Sequence, residues 1–159
     1  MLPRMKQLSL IPAQQPVHGG DLNQGTRKTL RPLARRRPIH LILKSKVAFE
    51  KSNGVLVLAE AKRFSEKFGL KLIDHAFGED HLHLVLTIPS RRDYNSFIRS
   101  LSGLLARKYG KGIWSSLPYT RVAHWGKDFR GLLKYLELNR LEASGDMPYS
   151  QRTWVPEWL

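Results

Sequence analysis

Two histidines two residues apart carry the first sign of chemistry in this chain. The stretch His81-Leu82-His83-Leu84-Val85-Leu86 has the pattern of a β-strand, whose side chains alternate between faces. His81, His83 and Val85 then share one face, while Leu82, Leu84 and Leu86 point to the other, where a core belongs. Two neutral imidazoles held side by side could bind one divalent cation. The competing reading is a pair of ordinary polar residues on an exposed sheet face. A second pair lies farther on, in Tyr135-Leu136-Glu137-Leu138-Asn139. Tyr135 and Asn139 are one helical turn apart and on the same side, with Leu132, Leu133 and Leu136 toward the core. A tyrosine at the edge of an apolar stripe commonly serves packing. The alternative is a phenol nucleophile whose neighbour's amide oxygen reaches the metal. Phenol is a weak nucleophile at neutral pH, so a metal or cation must favour phenolate. Of the other histidines, His40 could line the same face as His81 and His83 but reads as structural. His75 reads as packing or exposed, His18 as part of a tail, and His124 as either.

These side chains need elements to position them. Residues 38–47 alternate, with Ile39, Leu41 and Leu43 on one face and His40, Ile42 and Lys44 on the other, and form a first strand. Ser52-Asn53-Gly54 reads as a turn. Residues 55–68 form an amphipathic helix through Leu56, Ala59, Phe64 and Phe68, with Gly69 as its stop. Residues 70–77 make a second strand, with Leu70, Leu72, Asp74 and Ala76 set against Lys71, Ile73, His75 and Phe77. A short hairpin connection, Gly78-Glu79-Asp80, leads into the His81 strand, which ends at Pro89. Ser90 caps a helix over residues 92–109 with Phe97, Leu101, Leu104 and Leu105 as its apolar stripe. Residues 119–125 make a short fourth strand, and residues 129–143 the last helix. The order β-α-β-β-α-β-α predicts an α+β fold of the ferredoxin-like, split βαβ kind. It has a central antiparallel sheet, helices packed on one face and a C-terminal tyrosine-bearing helix. The His81 strand is expected near the sheet centre. Residues 1–37, rich in Pro, Gly, Gln and Asn and without hydrophobic period, read as a flexible basic tail. Residues 38–143 form the folded domain, and 144–159, with Trp154 and Trp158, an irregular C-terminal tail.

Charge narrows the class of partner. Lys and Arg number 27 against 13 Asp and Glu, a net charge of +14. A solvated surface is one explanation, but a surplus this large in a small chain points to a polyanion, most commonly nucleic acid. Arg35, Arg36 and Arg37 close a basic stretch that is either a solvated leader or an arm laid on phosphates. Arg91, Arg92, Arg99, Arg107, Lys108 and Lys111 flank the second long helix. Arg121, Lys127, Arg130 and Lys134 lie near the tyrosine helix, interleaved with Trp114, Tyr119 and Trp125. Charge along a path with aromatic platforms between is how single strands are held. The chain has no cysteine, which excludes disulfides and thiolate zinc sites. No apolar run approaches the roughly 20 residues of a membrane span. Pro3, Arg4, Lys6 and Pro12 interrupt any secretory leader. A cytoplasmic protein is expected.

Taken together, these residues resemble the HUH-type single-tyrosine transposases, in particular the REP-associated tyrosine transposases and their domesticated relatives. The resemblance rests on His81-Leu82-His83 with its apolar strand end and on Tyr135 through Asn139, about 50 residues later. Trp114, Pro118-Tyr119-Thr120-Arg121 and Trp125-Gly126-Lys127-Asp128-Phe129 are similar to that family's approach to its tyrosine helix. Arg37-Pro38-Ile39-His40-Leu41 is similar to its first strand. The likeness spans about residues 37–143. It implies a single-stranded DNA endonuclease and strand transferase that acts on single-stranded or hairpin DNA, as a monomer or homodimer. Under it, His81 and His83 are metal ligands, and Asn139 is the third, where many relatives have Gln. Tyr135 attacks the scissile phosphate, leaving a 5′-phosphotyrosine and a free 3′-hydroxyl. The implied cofactor is Mg²⁺ or Mn²⁺; magnesium prefers oxygen ligands, and two imidazoles suit manganese better. The chain departs from the family in Arg140, where many relatives have Pro, and in Glu79-Asp80, which either cap the hairpin or join the metal shell. Two other classes stay open: a non-catalytic hairpin-binding relative, and a metal-dependent phosphodiesterase that uses water.

Overall fold

Alternating apolar segments pair into one antiparallel sheet. The computed structural model describes residues 17–49 and 51–150. Its strands are β1 (Val17–Gly20), β2 (Ile39–Lys44), β3 (Lys71–Phe77), β4 (His81–Thr87) and β5 (Leu117–Val122). Its helices are α1 (Lys51–Lys67), α2 (Arg91–Tyr109) and α3 (Lys127–Ser144). The strand order is β1-β5-β2-β4-β3, and every neighbouring pair is antiparallel. The central strand is therefore β2, and the histidine strand β4 lies between it and the edge strand β3.

The two faces of the sheet are covered differently. Ile39, Leu41 and Leu43 of β2 and Leu82, Leu84 and Leu86 of β4 are buried beneath α1 and α2, against Val57, Ala61, Phe64, Phe97, Leu101 and Leu105. Each such leucine or isoleucine contributes about 2 kcal/mol relative to an exposed one. On the other face, smaller side chains (Ala76, Val85 and Ala123) receive Leu132 and Leu136 of α3. The tyrosine helix thus lies on the face opposite α1 and α2, which is the face the histidines share.

Three local readings change. Residues 17–20, expected in the flexible tail, form β1, with Val17 opposite Arg121 and His18 opposite Thr120. Arg31 fastens this segment by donating to the Pro118 carbonyl and the Thr120 hydroxyl, both at 2.7 Å. Gly19 has φ +86, and a Cβ there would fall 2.0 Å from the Pro118 oxygen, so the position needs glycine. Second, α1 begins at Lys51, so the expected turn at 52–54 is helical. Serine and asparagine favour helix starts as well as turns, and the composition does not separate the two. Third, β3 does not alternate cleanly. Leu72 pairs with Leu86 but Asp74 with Val85, which leaves Ile73 as a bulge. Leu72 therefore joins the α1/α2 core while Ile73 and Ala76 face α3. Residues 1–16 of the expected tail, and Trp154 and Trp158, lie outside the described residues.

Candidate active site

Register brings three histidines together. In the pairing of β2 with β4, His40 stands opposite Val85 and Ile42 opposite His83. His40, His81 and His83 therefore share the α3-facing side. The His40 and His83 rings are nearly parallel, with centroids 5.2 Å apart and an interplanar angle of 16°. His40 Nε2 lies 2.9 Å from His83 Nδ1. His81 stands at right angles to His83, with centroids 4.7 Å apart. Its Nδ1 is 2.7 Å from an Asp80 carboxylate oxygen. A Cβ on Gly78 would fall 2.2 Å from the His81 ring, so this glycine is what leaves room for the imidazole.

Burial sets the protonation of the pair. His40 and His83 are 4% and 2% exposed. Burial first, and then the nearby Arg121, push the His40 pKa down to about 3. His83 is held well below the usual histidine range, first by burial and then by His40 and His81. Both are neutral at pH 7, the form in which imidazole ligates a metal. His83 Nε2 is buried without a hydrogen-bond partner. With Nδ1 of His81 and of His83 engaged, each ring keeps its Nε2 for another bond. This donor set of two oriented imidazoles fits a divalent cation of the manganese type, whose remaining positions would be filled by water and substrate oxygens.

Tyr135 comes to the same place. Its ring meets His83 edge-on at 5.8 Å and His40 at 6.1 Å, measured between centroids. Tyr119, opposite Ile42 on β5, also faces this side; burial raises its pKa, Arg121 lowers it, and Tyr135 raises it. Asn139 is not brought to the histidines in the same way. Its amide nitrogen donates to the Tyr135 carbonyl of its own helix at 2.7 Å. Among the described residues, no group of three or more His, Asp or Glu is arranged to hold a metal. The residues brought together on this face are His40, His81, His83 and Tyr135.

The basic residues separate into sets. Arg121 departs from the expected DNA contact. It is 3% exposed and pairs with the buried Asp128 at 2.7 Å, so it braces the start of α3 from within. Arg91 is half-buried and donates to the Arg31 carbonyl. Arg35, Arg36, Arg37 and Arg92 are exposed where β2 begins and β4 ends. The exposed Trp125 joins them by donating its indole N–H to the Arg36 carbonyl at 2.7 Å. Lys127, Arg130 and Lys134 continue along α3, also exposed. Arg99, Arg107, Lys108 and Lys111 are exposed on and after α2, across the sheet from Tyr135.

Spacing along the chain gives the histidine pair and the tyrosine, but not their supports. His40 is visible to alternation as a residue of the right face, and only the β2–β4 register makes it a partner of His83. Asp80 adjoins His81 in sequence, and that adjacency was its signal.

The chain has the fold of a REP-associated tyrosine transposase whose structure was solved bound to a REP hairpin. The two superpose with a TM-score of 0.64 at 14% identity, over 78% of this chain and 81% of that one. A candidate transposase from Deinococcus radiodurans is also similar, at 19% identity over 72% of this chain and 98% of that one, but its TM-score of 0.47 supports no argument. No protein-family profile and no curated protein matches the sequence. No helix among the described residues is long and apolar enough to cross a membrane.

Proposed function

We propose that the chain is a metal-dependent enzyme that cuts and rejoins single-stranded DNA at a hairpin, with Tyr135 as nucleophile. The observation that carries this reading is the Tyr135 ring edge-on to His83, on the face where His83 Nε2 is buried and unpartnered. In it, His81 and His83 hold Mg²⁺ or Mn²⁺, which when bound polarises a phosphoryl oxygen and offsets transition-state charge. Asn139 is the third ligand, once its amide leaves the Tyr135 carbonyl. The Tyr135 hydroxyl oxygen attacks phosphorus and loses its proton to solvent. The bond from phosphorus to the 3′-oxygen breaks, and that oxygen departs as a free 3′-hydroxyl. The 5′ side stays as a phosphotyrosine ester. Attack by a 3′-hydroxyl on that ester frees the phenol and reseals the strand. One P–O bond replaces another, so no nucleotide triphosphate is needed. The net charge of +14 supports a DNA partner, and the hairpin on the solved transposase supports that form of it. We place this work in the cytoplasm.

The engaged Asn139 amide favours a second reading, a hairpin-binding protein without cleavage. One experiment separates the two. The chain and a Tyr135→Phe variant are incubated with end-labelled hairpin DNA carrying single-stranded flanks, with Mn²⁺ or Mg²⁺. The expected result is a covalent protein–DNA adduct that the substitution abolishes. Cleavage that survives Tyr135→Phe would identify water as the nucleophile. Binding with neither cleavage nor adduct in either metal would leave the binding protein.

A further inference from the structure

We infer that His40 is a positioning residue, which holds the His83 imidazole in the orientation and tautomer that aims its Nε2 into the site. The inference rests on the reading of His81 and His83 as metal ligands.

A histidine ring has a soft χ2 torsion and can turn over, exchanging nitrogen for carbon at each position. At His83 that exchange is blocked, because Nδ1 lies 2.9 Å from His40 Nε2 and a turned ring would lose the bond. The near-parallel stacking of the rings holds them in the same sense. His40 stands on the central strand, 4% exposed, too deep to touch a DNA strand. Two buried imidazoles carry a desolvation cost that their mutual hydrogen bond offsets.

Two neutral rings share one proton between those nitrogens. If it sat on His40 Nε2, then His83 would carry its own proton on Nε2. That N–H would be buried with no acceptor in reach, since His83 Nε2 has no partner. With the proton on His83 Nδ1, His40 Nε2 accepts it, and His83 Nε2 presents a lone pair that a cation completes. The second arrangement leaves no donor of His83 without an acceptor and places the His40 proton on its Nδ1. His81 follows the same rule with a different acceptor, since its Nδ1 is held by the Asp80 carboxylate. Metal-binding histidines generally donate their second ring N–H to such a partner. The half-buried His81 uses a carboxylate. The deeply buried His83 uses a neutral ring, which is cheaper to desolvate than a charge.

The test begins with the unmutated, metal-free, ¹⁵N-labelled chain. Long-range ¹H–¹⁵N correlation should show His83 protonated on Nδ1. Mn²⁺ affinity is then measured from the free-ion electron paramagnetic resonance signal. His40→Leu should weaken binding by about tenfold or more, the usual effect of losing such a partner. His40→Gln, whose amide oxygen can accept in place of Nε2, should recover most of it. A His83 protonated on Nε2 would overturn the inference, as would a His40→Leu variant within about twofold of the parent. The tautomer measurement needs no substitution and decides the matter even if His40→Leu does not fold. A His81→Ala control keeps the two readings apart: unchanged Mn²⁺ affinity there removes the metal site itself, whatever His40 does.

Discussion

His40 and His83 do not take up a second ring proton in the folded chain at a pH where an unfolded chain would. An ordinary histidine titrates near 6.5, while His40 is pushed down to about 3 and His83 moves in the same direction. Below pH 6.5 the unfolded state therefore takes up more protons than the folded one, and stability falls with falling pH. The expected slope is about 1.4 kcal/mol per pH unit for each histidine once the window is fully entered. Urea denaturation at pH 7, 6 and 5 with a chelator present measures it, and His40→Leu should remove about half. A profile flat between pH 7 and 5 would show that these rings are not buried as described. The sequence carried the identities of this site well and its environment poorly. Alternation put His81 and His83 on one face, and helical spacing put Tyr135 and Asn139 on one side. The burial of Arg121 was hidden, because its neutralising partner Asp128 is seven residues away and meets it only once β5 and α3 are in place. Composition presents such an arginine as surface charge.

At the scale of elements, α3 must be held in register for Tyr135 to meet the histidines. Leu132 and Leu136 supply its apolar contact. Arg140 supplies a clamp, donating to an Asp74 carboxylate oxygen and to the His75 carbonyl, each at 2.7 Å. The bulge at Ile73 turns Asp74 toward α3; with strict alternation the acid would share the face of Leu72, toward α1 and α2. Arg140 is thus a docking residue between α3 and β3. The clamp is about one-third exposed, 36% at the arginine and 22% at the aspartate. We therefore expect only about 1 kcal/mol from Arg140→Ala. Its mark should be local: faster amide hydrogen exchange in α3 with α1 and α2 unchanged, read by mass spectrometry. Equal exchange in all three helices would show that the apolar contacts suffice. The long elements were legible because their periods are long. The bulge was not, because one inserted residue leaves the apolar content unaltered and changes only which face each side chain takes.

Over the whole molecule, charge is unevenly placed with respect to the site. Arg35, Arg36 and Arg37 precede β2, the last of them three residues before His40, and connect through Trp125 to the start of α3. Arg107, Lys108 and Lys111 lie where α2 ends, near the Ser45–Trp114 bridge at the other end of β2 and across the sheet. Replacing the first three by alanine should weaken hairpin binding roughly tenfold or more near 0.1 M salt and flatten its salt dependence. Replacing the second three should change it by less than about threefold. Fluorescence anisotropy with a labelled hairpin across a salt series compares them. Equal losses would mean that binding follows net charge alone.

The short strand β1 has a further consequence. Its Val-His-Gly-Gly sequence has no hydrophobic period, and patterning alone would start the folded unit at Pro38. A protein trimmed to that boundary would lose the strand paired along β5 and the Arg31 bonds that secure it. The unpaired backbone of β5 would then be open to any other chain, the usual route to edge-to-edge aggregation. On that side of the sheet, the residues that look most like a dispensable leader are the ones that cover β5.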